Sequence, residues 1–141
     1  MENLKKDAAA LAEYLVGLRR QLHMHPEICF EEYETAALIE AELDELGIPH
    51  ERLGPTGVYA VLKGGAGAGR TVLLRADMDA LPMTETGDVP YRSQNTGRMH
   101  ACGHDAHTAC LLGALRLLKA RQAGFCGEVR IVFQPAEEVG G

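Results

Sequence analysis

The 141-residue chain contains no tryptophan, and aromatic side chains make up only 5% of it. It has no apolar run near the roughly 18 residues that a membrane-spanning helix needs, and its N-terminus shows no signal-peptide pattern. No run of Lys and Arg is present, and the formal net charge is −6. These absences argue against a membrane partner, against secretion and against nucleic acid as a partner.

Cysteine is scarce and irregularly placed. The four cysteines are Cys29, Cys102, Cys110 and Cys126. A chain of this length with 46% hydrophobic residues can bury one core without disulfide bonds. We therefore predict one domain, reduced thiols and a cytoplasmic protein.

The hydrophobic periodicity predicts alternating helices and strands. Apolar residues recur every three or four positions in three segments, which predicts helices at about 6–23, 31–46 and 105–122. Apolar and β-branched runs predict strands at 58–63, 71–74 and 128–133, and the polar segment 84–98 predicts a long loop. The continuous apolar run at 71–74 is typical of a strand that is buried on both faces.

Metal-ligand residue types are concentrated at residues 99–107, which hold one thiol, three imidazoles and one carboxylate. Cys102 and His104 are two positions apart, so in an extended loop their side chains point the same way. Gly103 between them allows a tight turn, and a helix that begins at about Asp105 directs its positive end at the cluster. The pair makes half of a tetrahedral metal site.

Carboxylates follow two of the predicted strands. Asp77 and Asp79 come after the strand at 71–74, and Glu137 and Glu138 come after the strand at 128–133. One of the adjacent glutamates can bind a metal while the other accepts a proton from water. Neighbouring side chains of a strand point to opposite sides, so a bend near Pro135 is needed to direct both inward.

A second histidine pair, His23 and His25, lies at the end of the first predicted helix, directly before Pro26. A histidine at a helix C-terminus is explained by the helix dipole and by hydrogen bonds. We therefore interpret this pair as structural.

Taken together, these segments resemble the M20 family of metal-dependent peptidases and amidohydrolases, in the branch of the N-acyl-amino-acid (aminoacylase), hippurate and indole-acetyl-amino-acid hydrolases. The most specific blocks are Met-His-Ala-Cys-Gly-His-Asp at 99–105 and Phe-Gln-Pro-Ala-Glu-Glu at 133–138. Further matching blocks lie at 19–23, 25–27, 30–32, 35–36 and 75–82. In this sequence Val139 follows the glutamate pair where a glycine is common in the family.

The resemblance implies a role for five residues. Cys102, His104 and Glu138 would be metal ligands, Glu137 would be the general base, and Asp79 would orient the site. Asp77 would occupy a position where other branches carry a ligating His, and Asp105 and His107 would support the ligands.

The resemblance also implies a fold and a reaction. The fold would be α/β, a three-layer zinc-peptidase-like catalytic domain with a mixed, largely parallel central sheet flanked by helices. Residues 1–141 would form the N-terminal portion of that domain. The later ligating histidines, the lid or dimerisation domain and the last strands of the sheet would lie beyond residue 141.

The implied reaction is hydrolysis of N-acyl amino acids or short peptides by metal-activated water. The family uses two divalent ions per site, which could be Zn, Mn, Co or Ni, since thiolate, imidazole and carboxylate together suit several metals. A homo-oligomer is expected.

Two alternatives stay open. The chain could be a non-catalytic truncated fragment that folds and self-associates through unpaired sheet edges. It could also be a hydrolase with Cys102 as the nucleophile and His104 or His107 as its base.

Overall fold

The structure, a computed structural model, describes residues 2–140. The helices are α1 (Glu2–Ala10), α2 (Ala12–Met24), α3 (Tyr33–Glu45) and α4 (His104–Lys119). The strands are β1 (His50–Leu53), β2 (Gly57–Lys63), β3 (Thr71–Asp77) and β4 (Glu128–Gln134). Single 3-10 turns lie at Gln122–Gly124 and Glu137–Val139.

The four strands form one mixed sheet in the order β1-β2-β4-β3. β1 pairs with β2 and β2 with β4 in antiparallel fashion, whereas β3 and β4 are parallel. The α/β class with a mixed sheet flanked by helices is thus confirmed. The expectation of a largely parallel sheet is wrong for these strands, because the short hairpin from β1 to β2 and the return to β4 reverse the chain.

One face of the sheet is buried beneath helices. Alternate residues of β2 and β4 are buried: Val58, Ala60, Leu62, Val129, Ile131 and Phe133. α3 packs against β2, α4 packs against β3, and α2 lies on α4. The core therefore lies between this sheet face and the helices.

The strand β3 corrects a second expectation. Val72 is 52% exposed and Leu73 is 62% exposed, although the apolar run at 71–74 predicts burial on both faces. Within residues 2–140, β3 pairs only with β4, so its outer edge has no partner strand there. Only its last residues, Ala76 and Asp77, are buried.

The predicted elements are recovered with small changes in their bounds. The first predicted helix is interrupted at Leu11, which separates α1 from α2. The short, charged strand β1 was not predicted, and its polarity explains why. The start of α3 is capped by Glu27, whose carboxylate accepts hydrogen bonds from the backbone N–H groups of Glu34 (3.1 Å) and Thr35 (2.8 Å). Among the described helices, none is both long and apolar enough to cross a bilayer.

This topology brings the ends of two strands and the start of one helix to the same edge of the sheet. The parallel strands β3 and β4 end side by side at Asp77 and Gln134. The first residue of α4, His104, lies at the same edge. Ligand sites of open α/β sheets form at such carboxyl ends.

Candidate metal centre

His104 is held in one orientation by Asp79. Its Nδ1 lies 2.9 Å from the Asp79 carbonyl oxygen and 3.2 Å from Asp79 Oδ1. Both residues are almost fully buried, at 2% and 1% exposure. With Nδ1 donating its proton to Asp79, the lone pair of Nε2 faces the ends of β3 and β4. This carboxylate-to-histidine contact is typical of metal-ligating imidazoles.

Cys102 and Glu138 complete a group of three donors with His104. One ligand atom from each residue lies within 4.8 Å of the other two. Donors around one tetrahedral ion stand about 3.4–3.6 Å apart, so small movements would bring this group to ligand spacing. A thiolate, an imidazole and a carboxylate are a donor set that zinc and neighbouring divalent metals accept. The residues thus fit a metal.

The two glutamates reach the same imidazole because the chain bends after β4. Ala136 adopts a left-handed conformation with φ of 52°, and a 3-10 turn over Glu137–Val139 follows. Glu137 Oε2 and Glu138 Oε1 each lie 3.7 Å from His104 Nε2. The predicted bend therefore exists, and it lies at Ala136 directly after Pro135.

Asp77 and His107 form a second donor group that shares His104. His107 Nδ1 lies 2.6 Å from Asp77 Oδ1, and the His107 ring stacks on that of His104 with centroids 5.8 Å apart. Ligand atoms of Asp77, His104 and His107 lie within 4.8 Å of one another. Burial raises the pKa of Asp77, but the hydrogen bond with His107 and the positive charge of Arg75 act in the other direction, and that pKa lies below its ordinary value.

Arg75 borders the site, although the sequence did not single it out as a site residue. Its Nη1 donates to Asp77 Oδ2 at 2.7 Å and its Nε donates to Gln134 Oε1 at 2.7 Å. Its Nη2 lies 3.9 Å from Glu137 Oε1. The spacing of two positions from Asp77 within a strand was the available signal, because such residues share one face.

The thiol of Cys102 lies in a negative environment. Its side chain is near the carboxylates of Glu138, Asp77 and Glu137. Desolvation and the Glu138 carboxylate raise the pKa of the Cys102 thiol above its ordinary value. The free thiol is therefore held protonated, and a cation would reverse this preference.

Asp105 turns away from the donor groups. Its Oδ2 lies 2.6 Å from His23 Nδ1 and 2.9 Å from Arg19 Nε. The other ring nitrogen of His23 lies 3.2 Å from Glu85 Oε1. This buried network joins α2, α4 and the loop before α4, and it supports the structural interpretation of His23.

His100 is 4% exposed, and neither of its ring nitrogens has a hydrogen-bond partner among residues 2–140. Burial lowers the pKa of His100 to about 4. At neutral pH its imidazole is therefore uncharged.

The five residues to which the resemblance gives a role are brought together at one edge of the sheet. Cys102, His104 and Glu138 form the donor group, Glu137 lies beside them, and Asp79 lies behind His104. Their roles as ligands, base and orienting group stay a prediction.

A family model for "Peptidase family M20/M25/M40" matches residues 73–141. The chain is 46% identical over 143 residues to thermostable carboxypeptidase 2 of Saccharolobus solfataricus, covering 100% of this chain and 36% of the relative. It is 49% identical to N-acetyl-L-cysteine deacetylase of Bacillus subtilis, covering 94% of this chain and 32% of that protein.

A solved structure agrees with these similarities. The crystal structure of the Bacillus subtilis YXEP protein, a dinuclear metal binding peptidase from the M20 family, superposes with a TM-score of 0.88 at 44% identity, covering 93% of this chain and 37% of that one. The chain thus spans about a third of the length of the relatives it matches. The family model's match includes both donor groups, and the match to thermostable carboxypeptidase 2 extends over all four strands of the sheet. The chain belongs to peptidase family M20/M25/M40.

Proposed function

We propose that this chain carries part of the active site of a metal-dependent amidohydrolase that cleaves N-acyl groups from amino acids. The observation that carries the proposal is the convergence of Cys102, His104 and Glu138 within 4.8 Å, with the Glu137 carboxylate beside them. In this proposal residues 1–141 are the N-terminal portion of the catalytic domain, and a lid or dimerisation domain and the remaining ligands lie elsewhere in the whole protein.

Each residue has a distinct task. A bound divalent ion supplies a Lewis acid for the scissile carbonyl and acidifies water. Cys102, His104 and Glu138 would hold that ion, and Asp79 keeps the Nε2 lone pair of His104 directed at it. Glu137 accepts the proton of the attacking water and returns it to the nitrogen of the leaving amine, which needs a carboxylate within reach of both.

The printed names of two relatives support a proposal for the substrate class. One matched relative is named for deacetylation of an N-acetyl amino acid and another for carboxypeptidase activity. Both reactions hydrolyse an amide next to an amino-acid carboxylate, so we propose an N-acyl amino acid or a short peptide as substrate. We further propose a pair of ions drawn from Zn, Mn, Co and Ni, a homo-oligomer and a cytoplasmic location.

The alternative of a Cys102 nucleophile is disfavoured by its surroundings. A nucleophilic cysteine needs a depressed thiol pKa, usually from a nearby cation. Three carboxylates near Cys102 and its desolvation act in the opposite direction. Retention of hydrolysis in excess chelator, with loss on thiol alkylation, would reverse this judgement.

The alternative of a self-associating fragment is favoured by the exposed edge at β3, where Val72 and Leu73 are half exposed or more. Unpaired apolar edges promote pairing with another copy. Sedimentation of the chain between micromolar and near-millimolar concentration measures this tendency. A Leu73→Lys variant that remains monomeric where the parent associates would support it.

The first test of the main proposal is metal content by elemental analysis after incubation with Zn, Mn, Co or Ni. We expect the parent chain to retain metal and Cys102→Ala to lose it. Cys110→Ala is the matched control. Cys110 is an exposed thiol in α4, close to Cys102 in the sequence, and it lies outside both donor groups. Equal metal retention by all three chains would contradict the proposal.

Hydrolysis is then assayed on the longest natural protein that contains this sequence, with N-acetyl amino acids as substrates and release of free amine as the readout. Glu137→Gln should abolish turnover while metal content stays unchanged, since the substitution removes only the proton acceptor.

A further inference from the structure

The turn that presents the two glutamates contains a strained residue. Ala136 and Phe30 are the non-glycine residues with positive φ among residues 2–140. A left-handed conformation is unfavourable for a residue with a Cβ. Ala136 is also fully buried, at 0% exposure, so the surrounding structure must hold it there.

A buried carboxylate supplies that hold. Glu32 Oε1 accepts a hydrogen bond from the backbone N–H of Ala136 at 2.9 Å, across 104 positions of sequence. Its second oxygen, Oε2, accepts from Thr56 Oγ1 at 2.7 Å. Glu32 and Thr56 are both 0% exposed. Burial of a carboxylate is unfavourable unless hydrogen bonds compensate it, so these two contacts hold Glu32 in place.

The same turn is held from its other side. Glu138 donates its backbone N–H to Asp79 Oδ2 at 3.1 Å. The amide of Ala136 and the amide of Glu138, on either side of Glu137, are thus bound to two different buried carboxylates. With Ala136 left-handed and Glu137 and Glu138 in the 3-10 turn that follows it, both glutamates lie near His104 Nε2. If β4 continued as an extended strand instead, these two neighbours would point to opposite sides.

We propose that Glu32 is a positioning residue for the Glu137 and Glu138 carboxylates, acting through the backbone of Ala136. This inference deepens the proposed function and rests on it for the roles of the two glutamates. Without the acceptor at residue 32, Ala136 relaxes toward an ordinary conformation, and Glu138 leaves the donor group that it forms with Cys102 and His104.

The first arm of the test needs no metal. Backbone amide hydrogen exchange is measured by NMR for the parent chain and for Glu32→Ala. We expect exchange at the Ala136 amide to rise by roughly tenfold or more, because the substitution removes a hydrogen bond to a charged acceptor. The control is Glu27→Ala, which removes a buried carboxylate of the same segment that contacts the start of α3 and not the turn.

The second arm measures metal affinity by titration with cobalt(II), followed by its absorption spectrum. Loss of a group that orients a ligand typically weakens binding by about 10–100-fold, and we expect that range for Glu32→Ala. Glu27→Ala should lower stability and leave affinity unchanged. The double variant Glu32→Ala/Ala136→Gly should recover most of the affinity, because glycine adopts the left-handed conformation without a Cβ penalty.

The outcomes separate the two proposals. Absence of cobalt binding in the parent contradicts the proposed function, and the exchange arm still decides whether Glu32 holds the turn. Unchanged exchange at Ala136 in Glu32→Ala overturns the positioning role, and so does a loss of affinity that Ala136→Gly fails to restore.

If Glu32→Ala does not fold, Glu32→Gln replaces it, since a neutral acceptor makes hydrogen bonds about half as strong. A smaller change in the same direction is then expected, and none would overturn the role.

Discussion

The carboxylate of Asp79 joins the helix start to the turn after β4. Its Oδ1 lies 3.2 Å from His104 Nδ1, and its Oδ2 accepts a hydrogen bond from the backbone N–H of Glu138 at 3.1 Å. Both oxygens are acceptors, and the residue is 1% exposed. One side chain therefore sets the relative position of two candidate ligands, His104 and Glu138, which are 34 residues apart in the sequence.

The first prediction is that Asp79→Asn weakens metal binding by roughly 10–100-fold. An asparagine offers one carbonyl oxygen and one NH₂ group, so one of the two N–H donors at this position would face another donor. Isothermal titration with zinc measures the change. Asp44→Asn is the control, because the side chain of Asp44 is 78% exposed and distant from the site. Equal affinity of Asp79→Asn and the parent would contradict the orienting role.

Metal binding should release a proton from Cys102, because the thiol pKa is raised in the metal-free chain and the ligand form is the thiolate. Below that pKa, apparent affinity should rise about tenfold per pH unit for one released proton. Calorimetry in buffers of different ionisation enthalpy counts the protons. Cys102→Ser should release one proton fewer, and an unchanged count would exclude Cys102 as a ligand.

The donors of the site were predictable because each follows a local signal. Cys102 and His104 share a short motif, and Glu137 and Glu138 follow a strand whose pattern is clear. The role of Glu32 was not predictable, because its contact with Ala136 spans 104 positions and no local periodicity encodes it. The exposure of Val72 and Leu73 was missed for a related reason: an apolar run indicates the preference of the strand and not which neighbours are present.

Glu85 should give the chain an acid-sensitive contact. The backbone N–H of Ser93 and the imidazole of His23 hold the pKa of Glu85 below its ordinary value. Because the folded state then binds the proton less tightly than the unfolded state, this stability is present above about pH 4.3 and is lost as pH falls through the lower folded pKa. Glu85→Gln should lower the free energy of unfolding by roughly 1.5–3 kcal/mol at pH 7. Below about pH 4.5, the free energy of unfolding of this variant should fall less steeply with decreasing pH than that of the parent.

Urea unfolding at pH 7 and at several values below pH 4.5 measures that difference. Asp88→Asn serves as the control, since Asp88 is an exposed acid of the same loop. If the free energy of unfolding fell equally steeply with decreasing pH in Glu85→Gln and in the parent, the contribution of this contact would be contradicted.

Gly57 should be the glycine at which an added methyl group disturbs the site as well as the fold. A Cβ at position 57 would lie 2.6 Å from the carbonyl oxygen of Leu53 and 3.2 Å from Cδ of Pro135, the residue before the strained Ala136. Backbone must move to relieve such contacts, and we expect Gly57→Ala to lower the free energy of unfolding by about 1–3 kcal/mol. Because Pro135 is displaced, cobalt affinity should fall as well.

The matched control for that substitution is Gly17→Ala in α2. A Cβ there would meet no atom of the described residues within 4 Å, and alanine is the better helix former. We therefore expect Gly17→Ala to raise the free energy of unfolding by about 0.5–1 kcal/mol and to leave cobalt affinity unchanged. Urea midpoints and cobalt titrations of both variants give the comparison. If Gly57→Ala matched the parent in both measurements, the close packing of β2 against Pro135 would be contradicted. If Gly57→Ala lost stability and kept full cobalt affinity, the turn at Ala136 would not depend on the position of Pro135.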